Sequence, residues 1–243
     1  MSTQRTDIHN SDVPVLCRSC EARHQGMCGV LEPDQLVELA RSTHKARHGA
    51  GAELSGESTE VRSYANVMRG VVKLTKMLED GRQQVVGLQF APDFLGRLYA
   101  METATTAEAA TSVDLCVVPK ATLEALVAKT PALEHRLMQQ TLRELDEARE
   151  WMVTLGRKSA AEKVASFLYL IATHADPTID ADTIGPITFE LPLTRADTAD
   201  FLGLTIETVS RQLTRLRQAG VISITRNRFV DVPNLERLHQ LCG

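Results

Sequence analysis

The chain has 243 residues, 43% apolar and 24% charged, and 27 Lys and Arg against 31 Asp and Glu leave a net charge of −4. That is enough apolar content for one large or two modest cores, and it excludes a disordered chain and a uniformly basic nucleic-acid coat. The longest apolar run, VASFLYLIA at 164–172, is too short to span a bilayer, and the polar start MSTQRTDIHNSDVP holds no secretory apolar segment, so a cytoplasmic location without a membrane partner is expected.

Residues 1–16 read as an unstructured tail. The stretch CRSCEARHQGMC then sets Cys17, Cys20 and Cys28 within twelve residues of a chain with five cysteines. In a reducing compartment such crowding points to metal or redox chemistry before structural disulfides. Two donor sets are open. Cys17, Cys20, His24 and Cys28 give a Cys3His spacing suited to zinc. Alternatively the thiols serve an iron–sulfur cluster.

Next, EPDQLVELARST suits a short helix opened by Pro33, with Leu36, Leu39 and Ala40 on its apolar face. Residues 46–118 alternate glycines with short β-type stretches, NVMRGVVKLTKML, QQVVGLQF and VDLCVVP. EDGRQ marks a hairpin between two of them. The pattern predicts a small antiparallel barrel or roll, in which ATTAEAATS (104–112) has low strand propensity and no clear place.

From Pro131 the period becomes helical for about 25 residues. Met138, Thr141, Leu145, Ala148, Met152 and Leu155 recur at spacings of three and four, a narrow seam that suits a paired helix of a homodimer. Glu144, Asp146, Glu147 and Glu150 lie on the outer face. Gly156 relaxes this helix and Ser159 can cap a strongly apolar one, SAAEKVASFLYLIATHA. DPTIDADTIGP (176–186) reads as a loop, and two more helices with a hairpin follow.

LTRADTADFLGLTIETVSRQLTRLRQAGVI (193–222) reads as a helix-turn-helix. Thr194 caps the first helix, Gly203 makes the turn, and Thr205 caps the second. Ile206, Val209, Leu213 and Leu216 form its expected buried stripe, with Glu207, Ser210, Arg211, Thr214 and Arg215 opposite. From Glu207 to Arg228 there are five Arg and one acid, a local cationic stripe in an acidic protein. VISITRNRFVDV reads as a two-stranded wing carrying Arg228. Arg211 can donate twice to guanine, Glu207 can accept from cytosine, and Ser210, Thr205 and Thr208 can reach bases or phosphates of double-stranded DNA. No P-loop, HExxH or GxSxG occurs, so no enzyme is expected.

The stretch IETVSRQLTRLRQAGVI, with ETVSR at its heart, resembles the recognition helix of the CRP/FNR superfamily of transcription regulators, FNR type. MRGVVKL and DFLGR resemble the glycine turns of that family's roll. The resemblance covers nearly the whole chain. It implies an α+β architecture: a cysteine-bearing segment at 1–30, a cyclic-nucleotide-binding-like antiparallel β-roll at 31–130, a long dimerisation helix at 131–158 and a winged helix-turn-helix at 159–243. It implies a 4Fe-4S cluster on Cys17, Cys20, Cys28 and Cys116, with Cys242 free. It further implies binding to palindromic TTGAT-type sites as a homodimer, oxygen-dependent control of anaerobic or microaerobic genes, and contact of LEDGRQQ (78–84) with RNA polymerase. The family's nucleotide-binding branch clamps phosphate with an Arg-Ser pair. METATTAEAATS has no Arg, and Arg97 lies in a different turn, so no cyclic nucleotide is expected. FNR proteins also carry an acidic residue in the dimer seam, where this chain has Ala148.

Overall fold

The computed structural model describes residues 13–14, 17, 20, 22–174 and 186–243. The elements begin with α1 (Ala22–Gln25), a 3-10 turn (Met27–Val30) and α2 (Pro33–Ala40). Eight strands follow: β1 (His44–His48), β2 (Glu53–Ser55), β3 (Ser63–Arg69), β4 (Val71–Met77), β5 (Gln83–Phe90), β6 (Phe94–Leu95), β7 (Thr106–Ala109) and β8 (Val113–Pro119). Then come α3 (Lys120–Lys129), α4 (Pro131–Arg157), α5 (Ala160–His174), β9 (Ile187–Glu190), α6 (Arg195–Leu202), α7 (Ile206–Gln218), β10 (Ser223–Thr225), β11 (Phe229–Val232) and α8 (Leu235–Gln240). Most of the expected tail at 1–16, and the expected loop at 176–186 save for Pro186, lie outside the described residues. Val13 corrects the tail expectation at one point, because it is buried.

Two compact units divide the chain. The first runs to Val72 and resumes at Ala91–Arg143. One of its sheets has strand order β1-β8-β3-β6, and β2 pairs with β7. Its core gathers Met27, Leu36, Tyr64, Phe94, Val118, Leu123, Leu133 and Leu137, so the cysteine-bearing segment, the roll and the start of α4 share one apolar interior. The α2 helix starts as its sequence demands, with Pro33 at the first turn and a Glu32–Gln35 capping box. Gly70 splits NVMRGVVKL into two strands. It sits at φ +87°, and a Cβ there would come within 2.3 Å of the Ser112 carbonyl oxygen. The unplaced ATTAEAATS contains β7. Its Ala107 and Ala109 are buried and alternate with half-buried Thr106 and Glu108, so small side chains fit where the strand scale favours larger ones.

The second unit comprises Lys73–Phe90 and Glu144–Gly243. The β4–β5 hairpin, read from sequence as part of the roll, thus keeps company with the helix-turn-helix. Gln84 Nε2 donates to the Phe201 carbonyl at 3.2 Å, and Lys73 Nζ lies 2.6 Å from Asp197 Oδ1. Trp151 of α4 packs its ring 4.5 Å from that of Phe201. The wing has three strands, in the order β10-β11-β9, where two were expected. The added strand, ITFE, alternates buried and exposed residues and pairs with Phe229–Val232.

The α4 helix runs unbroken through Gly156 to Arg157. Every residue from Thr141 to Glu150 is exposed, as are Met138 and Met152. Leu155 alone of the expected seam is half-buried. Two further apolar residues, Leu142 and Val153, are exposed beside it. At helical spacing, Met138, Leu145 and Met152 form one row, flanked by Thr141 and Ala148 on one side and Leu142 and Arg149 on the other.

Candidate metal centre and nucleic-acid interface

Tight turns arrange the cysteine segment. The Cys17 N–H bonds to the Pro14 carbonyl, the Cys20 N–H to the Cys17 carbonyl, and the Arg23 N–H to the Cys20 carbonyl. Cys28 lies in the 3-10 turn, whose neighbour Met27 is buried in the core. Cys116 comes from the middle of β8, in register with Lys45 of β1 on one side and Asn66 of β3 on the other. All four thiols are half-buried.

Their electrostatics show that they stand together. Burial first, then the charges of Cys116, Cys17 and Cys20, push the Cys28 thiol far up, against the opposing pull of Arg23. Cys116 is pushed up to about 12 by burial and by Cys20 and Cys17, with Lys45 opposing. Cys17 rises for the same reasons, burial before Cys20. Cys17, Cys28 and Cys116 therefore resist ionising, through burial first and then through the neighbouring thiols. Among the described residues, no three His, Cys, Asp or Glu side chains are close enough to share a single metal ion. His24 is exposed, and its Nε2 lies 3.5 Å from the Arg23 guanidinium, a cation beside that ring nitrogen. Four thiols that repel one another as thiolates match an iron–sulfur group in number and chemistry, since positively charged iron removes that penalty. Cys242 stands apart. It is buried, with its thiol donating to the Leu238 carbonyl at 3.4 Å.

One neighbour of the thiols escaped the sequence reading. Asn66 is buried and its Nδ2 points to Cys28 Sγ at 3.8 Å. Its signal was a lone amide inside the apolar strand SYANVM.

In the second unit, Thr194 caps α6 through a reciprocal pair with Asp197, and Thr205 accepts from the Thr208 N–H to cap α7. Gly203 makes the turn in the left-handed conformation at φ +60°. Glu207, Ser210, Arg211, Thr214 and Arg215 are all exposed on one side of α7, as expected, and Thr208 is half-buried beside them. Arg211 Nη2 bonds to the Thr208 hydroxyl at 3.3 Å. A hydrogen bond from its own backbone and one from Thr205 hold the Glu207 carboxyl below its ordinary range. Ile206 departs from the expected buried stripe: it is exposed, and Gln212 is buried in its place. Arg228 is less free than a phosphate contact suggests, because its Nε lies 3.4 Å from Glu190 on the strand that sequence reading did not find. The wing tip instead presents Arg226, exposed at φ +49° next to Asn227 at φ +60°. Two such residues, with the Arg228 N–H bonded to the Thr225 carbonyl, make a type I′ turn.

Comparison with known proteins finds two domain families along the chain. Residues 47–130 match the cyclic nucleotide-binding domain and residues 162–241 the Crp-like helix-turn-helix domain. The chain is 51% identical over 241 residues to a probable transcriptional activator of Rhizobium leguminosarum bv. viciae, covering 99% of both chains. It is 39% identical over 235 residues to the transcriptional activator protein FnrL of Cereibacter sphaeroides, covering 96% of this chain and 95% of that one. Among solved structures, FixK2 from Bradyrhizobium japonicum superposes with a TM-score of 0.75 at 30% identity, covering 83% of this chain and 98% of that one.

The wing tip yields a test. Arg226→Gly removes a side chain from a backbone position that favours glycine, so thermal stability should hold or rise slightly. Binding to specific and random duplexes should weaken alike, and the salt dependence of binding should shrink by about one ion. Anisotropy titrations over a salt series measure both, and a loss confined to one sequence would make Arg226 a base reader instead.

Proposed function

Because this chain belongs to the CRP/FNR superfamily of DNA-binding transcription regulators and is an activator of the FNR/FixK kind, not an enzyme, we propose that it senses oxygen. On this reading Cys17, Cys20, Cys28 and Cys116 hold a 4Fe-4S cluster. The protein then binds TTGAT-type inverted repeats as a homodimer and activates genes of anaerobic or microaerobic life. The observation that carries the reading is that a thiol of the N-terminal segment and one of β8 meet at one buried side chain: Cys28 Sγ lies 3.8 Å from Asn66 Nδ2, and Asn66 is in register with Cys116. When bound, the cluster supplies reactivity toward oxygen.

The chain's own residues supply the link to α4. Met27, beside Cys28, is buried in the same core as Leu133 and Leu137. The Arg136 guanidinium donates to the Gln25 carbonyl. Holding Cys28 therefore holds the packing of Leu137, one residue before Met138 at the head of the exposed row. That row is what a second copy would cover, since ten consecutive helical residues exposed in one protomer leave apolar side chains in water. The β4–β5 turn exposes Met77 and Leu78 around an acidic tip, which suits a contact with RNA polymerase. Residues 98–112 contain no Lys or Arg to meet a cyclic nucleotide's phosphate.

Iron and acid-labile sulfide, measured in five single Cys→Ala variants purified without oxygen, test the ligand set. Cys17→Ala, Cys20→Ala, Cys28→Ala and Cys116→Ala should each lose the cluster, and Cys242→Ala should keep it. A full cluster in Cys116→Ala sinks the assignment, and a colourless zinc protein sinks the cluster itself. For base reading, Arg211→Ala should lose about 1–3 kcal/mol at a TTGAT half-site. Equal losses on random DNA would make Arg211 a phosphate contact. Finally, Ala148 lacks the charge that two facing carboxylates would place across a two-fold axis. The cluster-free protein should therefore sediment as a partial dimer at micromolar concentration, and Ala148→Asp should shift it toward monomer. A clean monomer for the unsubstituted cluster-free chain contradicts this.

A further inference from the structure

Asn66 occupies an unusual place. It lies in the middle of β3, where Tyr64, Ala65 and Val67 are all buried, and its own exposure is 6%. A neutral amide in such a strand is costly unless its polar atoms are used. Among the described residues its side chain has one hydrogen bond, from Nδ2 to Cys28 Sγ at 3.8 Å, and its Oδ1 has no partner. Cross-strand register adds a second relation. Asn66 is directly opposite Cys116, and Cys116 is directly opposite Lys45, so the three side chains project from the same face of the sheet. The amide thus stands between two thiols that come from distant parts of the chain, touching one and flanking the other.

We infer that Asn66 is a positioning residue for the metal centre, donating its N–H to the thiolate sulfur of Cys28 and fixing that sulfur relative to Cys116. This rests on the 4Fe-4S reading of the four cysteines. The donor does two things. It supplies a partial positive charge to the Cys28 sulfur, which lies 3.8 Å from its Nδ2. It also ties the N-terminal ligand residue Cys28 to a strand of the roll, because its backbone is locked in the sheet beside Cys116. Hydrogen bonds to ligand sulfurs raise the reduction potential of iron–sulfur groups, and outer partners of metal ligands shift affinity or activity by about 10–100-fold.

Asn66→Leu keeps the volume and removes the donor, and Asn66→Asp keeps the shape and replaces the N–H with an anionic oxygen. Both are prepared without oxygen beside the unsubstituted protein, with melting temperature read to confirm folding. Iron and sulfide per chain should match the unsubstituted protein. The reduction potential should fall in Asn66→Leu and further in Asn66→Asp. The cluster's visible absorbance in air should decay about tenfold faster in Asn66→Leu. A deuterium-sensitive shift of the iron–sulfur(Cys) stretching bands, present in the unsubstituted protein, should disappear in Asn66→Leu, which a purely structural role would not cause. If either variant folds and carries its full iron with unchanged potential, lifetime and vibrational shift, the inference is overturned. If a variant folds yet loses iron, the positioning role is supported. If the unsubstituted chain itself binds no iron and sulfide, the ligand assignment fails first and this inference falls with it, so the two failures are told apart by the unsubstituted control.

Discussion

Thiolates repel one another, and this chain gathers four thiols into one half-buried place. That repulsion is the constraint on which the rest of the sensor unit depends. Without positive charge between them, burial and mutual repulsion keep the thiols protonated. The segment bearing Cys17, Cys20 and Cys28 is then held by turns, by Met27 in the core and by the Arg136–Gln25 contact, not by the sulfurs. A cationic core would convert the same four groups from a source of strain into a crosslink between the N-terminus and β8. Through Met27, Leu133 and Leu137 this segment shares one core with the first turns of α4.

Downstream, α4 transmits by geometry. A row of Met138, Leu145 and Met152, broadened by Leu142 and Val153, is costly in water and favourable against a copy of itself. Arg149 interrupts the row on one flank, engaged with Asp146 at 3.1 Å, while Ala148 leaves the other flank small and uncharged. The exposed apolar surface of α4 is therefore a narrow row of a few side chains rather than a wide face.

Much of this was legible in the sequence, for physical reasons that differ by element. Caps and turns are local, so Thr194, Gly203 and Thr205 marked the helix-turn-helix from a dozen residues. Thiol spacing is also local, and the glycine-bounded β-stretches revealed the roll. What escaped depended on neighbours distant in the chain. The strand Thr106–Ala109 has weak propensity and exists because small residues fit beneath it. Strand Ile187–Glu190 is too short to stand out, yet it gives the wing its third strand and takes Arg228 as a partner. Ile206 looked like core by periodicity, but the end of α7 leaves it uncovered. Asn66 could not be singled out until β3 was laid beside β8, because only register puts it opposite Cys116.

The division into two units adds a last step. The chain crosses between them in α4 and again on either side of residues 73–90, so the reading unit incorporates a hairpin that the sequence order places inside the sensor. Within the reading unit, that hairpin contributes Lys73 to Asp197, a pair whose side chains are 8% and 17% exposed. Burial pushes the Asp197 carboxyl up, but hydrogen bonds from Lys73 and Thr194 outweigh it and keep the group below its ordinary range. Asp197 is also the residue that completes the Thr194 capping box, so one carboxylate both starts the first DNA-reading helix and holds a strand of sensor origin. Removing either charge would cost the other its ion-pair partner at that helix start. The first helix of the helix-turn-helix, α6, is thus held by packing against α4, through Trp151 and Phe201, and by an ion pair delivered on a separate chain segment. A signal that loosened only one of these attachments would leave the other to keep the reading head folded while changing how it is presented to DNA.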